Sequence, residues 1–161
     1  GEVVSPANYN APSQIVIAGH KDAVEAAIEL STAKGAKRGV LLPVSAPFHS
    51  SLMRPAADKL AAKLATVPIA APAIPVLHNV DVEARNTADA IRSALAQQAA
   101  APVRWVETIQ AFAARGITHV VECGPGRVLA GLNKRIARDL KSLALTDGAD
   151  LDAAKATLAG K

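Results

Sequence analysis

With 161 residues, half of them apolar and a fifth charged, the chain has the length and composition expected of one soluble globular domain. A single cysteine excludes an internal disulfide and suits a reducing compartment, and no apolar run reaches the ~18 residues of a membrane span. The net charge of +4 favours acidic partners, but one Trp, one Tyr and two Phe are too few stacking platforms for a single-strand nucleic-acid binder.

In chain order, VVSPANYN and QIVIAG within residues 3–19 read as two extended segments split by the turn-forming Ala11-Pro12-Ser13. Residues 22–33 read as a helix with Val24, Ala27, Ile28 and Ser31 on one face and Gly35 just past its end. RGVLLPV (38–44) has the apolar, β-branched character of a strand closing a small α+β unit. Residues 51–66 then read as a helix striped by Leu52, Ala56, Leu60 and Leu64, with Ser50 or Ser51 as N-cap and Pro55 tolerated in the first turn. AIPVLHNV reads as a short buried strand, and AIRSALAQQ and VRWVETIQAFAARG as helices. ITHVVECGPG is an apolar strand running into a glycine-proline-glycine turn, followed by the helical RVLAGLNKRIARDL, the strand SLALT and the helix LDAAKATLA. Strands alternating with helices predict an α/β arrangement with a parallel sheet in this second part.

The chemistry-bearing residues are few. His49 stands in LLPVSAPFHSSLM, at the exit of an apolar run and just ahead of a helix. That place suits a general base whose second ring nitrogen is oriented by another group, and equally a histidine bonded into a strand-to-helix corner. His78 follows an apolar run in the same way, His119 reads as a surface strand residue and His20 as a turn or cap residue. The four histidines and Cys123 are too scattered for zinc spacing, and no G-x-S-x-G nucleophile elbow occurs. Cys123 before Gly124-Pro125-Gly126 permits a Cys–His pair, although a lone cysteine with apolar flanks is more often an inert core residue. The GPG turn lacks the further glycines and the lysine-hydroxyl pair of a phosphate loop, so its plain role is a tight strand-to-helix turn.

Taken together, NYNAPSQIVIAGH, LPVSAPFHSSLM followed by PAADKLA, PVLHNVD, APVRW and ECGPGRVLAGLNKRI closely resemble, in this order and spacing, the malonyl-CoA:acyl carrier protein transacylase family, related to polyketide synthase acyltransferase domains. The resemblance runs over essentially the whole chain. It implies part of an α/β-hydrolase-like large subdomain and part of an inserted ferredoxin-like subdomain: residues 1–43 as the later part of the insert, 44–161 as the C-terminal part of the large subdomain. The family's serine nucleophile and its malonyl-binding arginine lie in its first half, and neither motif is present here. The chain therefore resembles the C-terminal half and is expected to be catalytically incomplete alone. Its start on Gly1 agrees with a processed or excised piece, and its end at Lys161 falls about where the stand-alone enzyme ends.

By the same resemblance His49 corresponds to the catalytic histidine, and Gln98, with Gln97 one residue away, to the residue whose main-chain carbonyl orients it. In the family's ping-pong mechanism the histidine activates the serine for attack on the malonyl thioester, then serves the phosphopantetheine thiol of acyl carrier protein. Phe48 corresponds to the position that sets extender choice, while Asn8, Asn10 and Val128 match residues lining the cleft. Phe48 is equally readable as core, the asparagines as turn formers and Val128 as helix core. Lys134, Arg135 and Arg138 form a basic segment suited to the acidic carrier protein, or simply a solvated helix face. The implied partners are acyl carrier protein, malonyl-CoA as substrate and the N-terminal half of the enzyme, with no cofactor, metal, nucleic acid or membrane and a cytoplasmic location. The alternatives are an acyltransferase fragment of a polyketide synthase and a non-catalytic basic binding module.

Overall fold

The computed structural model describes residues 1–160; the expectation attached to Lys161 lies outside them. The fold is mixed α/β and divides into two compact units, residues 1–9 with 14–105 and residues 10–13 with 106–161.

The first unit opens on β1 (Val4–Ala11) and β2 (Gln14–Gly19), which pair as a two-stranded sheet across the Pro12-Ser13 turn. A two-residue connection is the commonest hairpin length, and the turn expected at Ala11-Pro12-Ser13 falls there, at Pro12 and Ser13. Gly19 ends β2 where a Cβ would collide with the main-chain carbonyl of Val3, so only glycine lets the strand ends approach this closely. His20 then precedes helix α1 (Lys21–Ala33). Its Nδ1 accepts a 2.8 Å bond from the Val3 amide, so it ties the hairpin to the helix start and does not cap the helix. Of the expected face of α1, Val24, Ala27 and Ile28 are half-covered, whereas Ser31 is exposed.

Residues 38–44 do not form the expected strand. They run as irregular chain outside both sheets, with Val44 N–H turned back onto the Leu42 carbonyl at 2.8 Å. The next helix starts as a single 3₁₀ turn (Ser51–Met53) and continues as α2 (Arg54–Ala65), with Pro55 in its first turn. Ser50 is buried and stands at the N-cap, as expected, but its hydroxyl donates to the Pro47 carbonyl at 2.7 Å and makes no capping bond. Of the expected stripe, Leu52 and Leu64 are half-covered and Ala56 and Leu60 are exposed; the buried residue is Ala57. Ala57 is the inward position because α2 packs on α3 (Ala88–Gln98), whose own buried residue is Ala94. Two small side chains let the helix backbones approach closely.

Thr87 caps α3 by accepting from the Ala90 amide, and Asp89 in the first turn complements the helix dipole. Arg92 on α3 closes the other end of α2: its Nε and Nη2 each donate at 2.9 Å, to the carbonyls of Leu64 and Val67. The expected strand at 73–80 reduces to one bridge, Leu77 against Ala84, around a tight loop in which Val82 adopts φ +66°. His78 and Glu83 close that loop through the main chain, and Asp81 accepts from the Glu83 amide and pairs with Arg85.

The second unit is the α/β arrangement that the sequence predicts. Helix α4 (Trp105–Ala114) buries Thr108 and Ile109. It leads to β3 (His119–Cys123), α5 (Val128–Ile136), β4 (Lys141–Leu145) and α6 (Gly148–Ala159). β3 and β4 are parallel, with Val121 opposite Leu143, and α5 is the crossover between them. Both α5 and α6 pack on β4. The core here is Ile109, Ala130, Leu132, Leu140, Ala144 and Ala154, so aliphatic side chains fill it without a buried aromatic.

Candidate active site

His49 is held in a backbone conformation that its residue type seldom adopts. Its φ is +60°, in the left-handed region where a side chain crowds the following carbonyl at a cost of about 1–2 kcal/mol. The corner is made by the sequence around it: Pro47 fixes the approach, Ser50 is buried beneath and bonded back to Pro47, and the 3₁₀ turn starts at Ser51. A non-glycine residue kept in such a conformation is a feature of functional sites, and the surrounding contacts sustain it.

The imidazole Nδ1 lies 3.0 Å from the main-chain oxygen of Gln98, across 49 residues of sequence. A carbonyl can only accept, so Nδ1 is the donor here, which leaves the second nitrogen, Nε2, outside this bond. Gln98 is the last residue of α3, where helix carbonyls lack an intrahelical partner and one is available for a side chain. The neighbouring Gln97 instead donates from its side chain to Ser93 on its own helix. The arrangement is a half-covered imidazole with one nitrogen fixed by main chain and the other free to take a proton.

Main-chain contacts of the first unit tie β1 and the loop after His78 to the chain just after α3. Asn8 bridges Val103 in parallel: Val103 N–H donates to the Ala7 carbonyl at 2.8 Å and Tyr9 N–H to the Val103 carbonyl at 2.9 Å. Arg104 N–H donates to the Asn79 carbonyl at 3.0 Å. The APVRW landmark thus joins β1 and the loop after His78 to the chain just beyond α3. Asn8 sits within this pairing; Asn10, two residues on, shares its strand face, opposite the buried Ala7 and Ala11. Phe48, adjoining His49, is 48% exposed and so is no core phenylalanine in this chain. His78 is buried in its main-chain corner, while His119 lies within β3 with its Nδ1 2.9 Å from the Thr118 hydroxyl.

In the second unit Cys123 is exposed at the end of β3, which corrects the expectation of an inert core residue. The turn after it requires glycine twice, at Gly124 (φ +145°) and Gly126 (φ +134°). Glu122 reaches over this turn and accepts from the Ala130 amide at 2.8 Å, taking up one of the open donors at the start of α5. Val128 opens α5 and is 71% exposed, so it is not helix core here. Lys134 and Arg135 close α5 as cations at the negative end of the helix dipole, and Arg135 also donates to the Ser13 hydroxyl at 3.1 Å. Lys134 and Arg138 border a groove of about 540 Å³ floored by Leu140 and Leu143. A second hollow, of about 260 Å³, lies between α5, β4 and α6 and is bordered by Arg127, Lys134, Asp150 and Thr157.

Asp150 is a carboxylate of this unit held by several bonds at once. It accepts from the Thr146 hydroxyl and main chain and from the Arg127 guanidinium at 2.8 Å. These bonds, the Thr146 hydroxyl first, hold its carboxyl below the ordinary range. Motif reading misses this Arg127–Asp150 link and the Arg92 clamp because both join residues far apart in sequence by side-chain reach. No group of three His, Cys, Asp or Glu able to hold a metal occurs among the described residues.

The family model described as acyl transferase domain matches residues 2–161. The malonyl CoA-acyl carrier protein transacylase of Salmonella typhimurium is 53% identical over 96% of this chain and 50% of its own length. Among solved structures, the acyl-carrier-protein S-malonyltransferase of Burkholderia pseudomallei is 55% identical and superposes with a TM-score of 0.93, over 95% of this chain and 50% of that one. A malonyl-transacylase solved in complex with its type II PKS acyl-carrier protein gives a TM-score of 0.94 at 49% identity, over 96% of this chain and 50% of that one. The chain spans about half the length of the relatives it matches, and the resemblance drawn from its motifs is borne out. With the left-handed histidine on a helix-end carbonyl and a match along nearly its whole length, this chain belongs to the acyl transferase domain family.

Proposed function

We propose that this chain is the general-base half of a malonyl-CoA:acyl carrier protein transacylase of fatty acid synthesis. The observation that supports it best is His49, strained into the left-handed region with Nδ1 tied to the Gln98 carbonyl and Nε2 left to accept a proton. In this reading Nε2 takes the proton of a serine on the half that this chain does not contain. The serine attacks the malonyl thioester, coenzyme A leaves as its thiol, and the acyl-serine is then opened by the phosphopantetheine thiol of acyl carrier protein. The Gln98 carbonyl keeps the ring in one tautomer and steadies the imidazolium that forms in each half-reaction. No cofactor enters; malonyl-CoA is the substrate.

Phe48 borders the acyl group and limits its size, Asn8, Asn10 and Val128 line the cleft, and Lys134, Arg135 and Arg138 meet the acidic carrier protein. Residues 1–43 are the later part of a ferredoxin-like subdomain and residues from 44 onward part of an α/β-hydrolase-like one, in a cytoplasmic enzyme. One observation favours a polyketide variant of the same chemistry: a structural relative was solved with a type II PKS acyl-carrier protein. The test is malonyl transfer from coenzyme A to carrier protein by the complete polypeptide. His49→Ala is expected to lower turnover by roughly 10²–10⁴-fold, the range for loss of a general base, with the fold unchanged. Undiminished transfer by that variant would return His49 to a corner-turning role.

A further inference from the structure

The α2–α3 pair is tied at both ends, and little between the ends holds its register. At one end His49, which leads into the 3₁₀ turn before α2, places Nδ1 3.0 Å from the carbonyl of Gln98, the last residue of α3. At the other end Arg92, in the first half of α3, donates from Nε to the Leu64 carbonyl and from Nη2 to the Val67 carbonyl, each at 2.9 Å. The two helices therefore run in opposite directions, with the imidazole and the guanidinium at opposite ends of the pair. In between, the buried residue of each helix is an alanine, Ala57 on α2 and Ala94 on α3. Methyl groups make shallow ridges, which let helices come close but give little resistance to sliding.

We infer that Arg92 is a positioning residue for the base: by fixing the register of α3 against the end of α2, it keeps the Gln98 carbonyl where His49 can reach it. The inference rests on the proposed function in one respect, that His49 is the base. Arg92 and Gln98 lie on one short helix, which moves as a rod, so a displacement at the clamp is carried to the carbonyl. A slip of one residue, about 1.5 Å, would lengthen and misalign the 3.0 Å bond to the ring. Arginine suits the task because Nε–H and one Nη–H project in parallel from one edge of a rigid plane, so meeting two carbonyls fixes position and orientation together. The first of these carbonyls is open to a side chain because the residue four beyond Leu64 is Pro68, which has no N–H to give. The remaining Nη1 donates to the exposed Asp89 at 2.9 Å, which occupies the outer edge of the guanidinium.

The test uses the complete polypeptide with Arg92→Ala and Arg92→Lys; the lysine form keeps the charge and the aliphatic stem, so it serves where the alanine form does not fold. Two readouts are taken well below the melting temperature. One is steady-state malonyl transfer. The other is the nitrogen-15 spectrum of the histidines, in which the proton on Nδ1 of His49 has its own resonance, identified by its loss in His49→Ala. Lysine offers one compact cation where two aligned donors are needed, so both variants are expected to lower kcat by roughly 10–10²-fold, the scale of a misplacement of about 1 Å. KM for malonyl-CoA should stay as it is, because the change falls on the base and not on binding. The His49 resonance should weaken or shift while the signals of His20, His78 and His119 stay in place. Parental kcat and an unmoved His49 resonance in the folded variants, whatever their melting temperatures, would make Arg92 a purely structural tie and overturn the inference. A fall in kcat with the resonance unmoved would overturn it equally. If His49→Ala transfers malonyl at the parental rate, the proposed function falls, and the His49 resonance in Arg92→Lys still decides whether the arginine places the ring.

Discussion

A residue strained at a site reports what the site needs held still. His49 gives up about 1–2 kcal/mol of backbone comfort so that its ring meets the Gln98 carbonyl, and Phe48 is carried to the adjoining position by the same corner. If Phe48 limits the acyl group, Phe48→Ser in the complete enzyme should raise the relative use of methylmalonyl-CoA, by no more than about 10–200-fold for one methyl group. The ratio of kcat/KM for the two thioesters measures it, and an unchanged ratio removes Phe48 from the selectivity argument. Asp150 makes a pH prediction in the second unit. Its carboxyl is held below the ordinary value of 3.8, so its bonds to Thr146 and Arg127 contribute stability above that pH, lost as the pH falls through the lowered value. Asp150→Asn should therefore lower thermal stability at neutral pH and match the parent in acid. Melting curves across pH 2–7 test this, and an equal deficit at both ends would mean the carboxylate's charge is irrelevant.

At the scale of elements, the close approaches are the weak points. Gly19→Ala should destabilise strongly, because a Cβ there meets the fixed Val3 carbonyl and no flexible side chain can yield. Urea unfolding that retained the parent midpoint would show that the β2 end can shift. Elements whose partners lie nearby in sequence were legible: the β1–β2 hairpin from its Pro-Ser turn, and β3–α5–β4 from alternating apolar runs around the GPG turn. The runs at 38–44 and 73–80 have equally good strand composition, but the first is unpaired and the second pairs only at Leu77, because composition reports a readiness to pair and not the presence of a partner. His49 was legible from its motif and Gln98 to within one residue, since a helix-end carbonyl has no side-chain signature. The Arg92 clamp was illegible because an arginine on a helix face reads as solvated charge until the neighbouring helix end is known.

For the whole molecule, the composition is that of a basic chain, and among the described residues no helix is long and apolar enough to cross a membrane. It holds the His49 ring on the Gln98 carbonyl and has no nucleophile elbow, so on the proposed function the isolated chain is expected to transfer no malonyl group. Time-dependent acylation of carrier protein by the 161 residues alone, abolished by His49→Ala, would contradict that.

The pairing of Asn8 with Val103 joins the two ends of the first unit, whereas β3 and β4 are separated only by their crossover helix. Closing a long loop must come before the contacts that reward it, so non-local pairings form late in folding and local ones early. In pulse-labelled refolding, the Lys141 amide, bonded to Thr118, should thus become protected before the Tyr9 amide, bonded to Val103. The Asn8–Val103 pairing would then be among the last parts of the first unit to assemble.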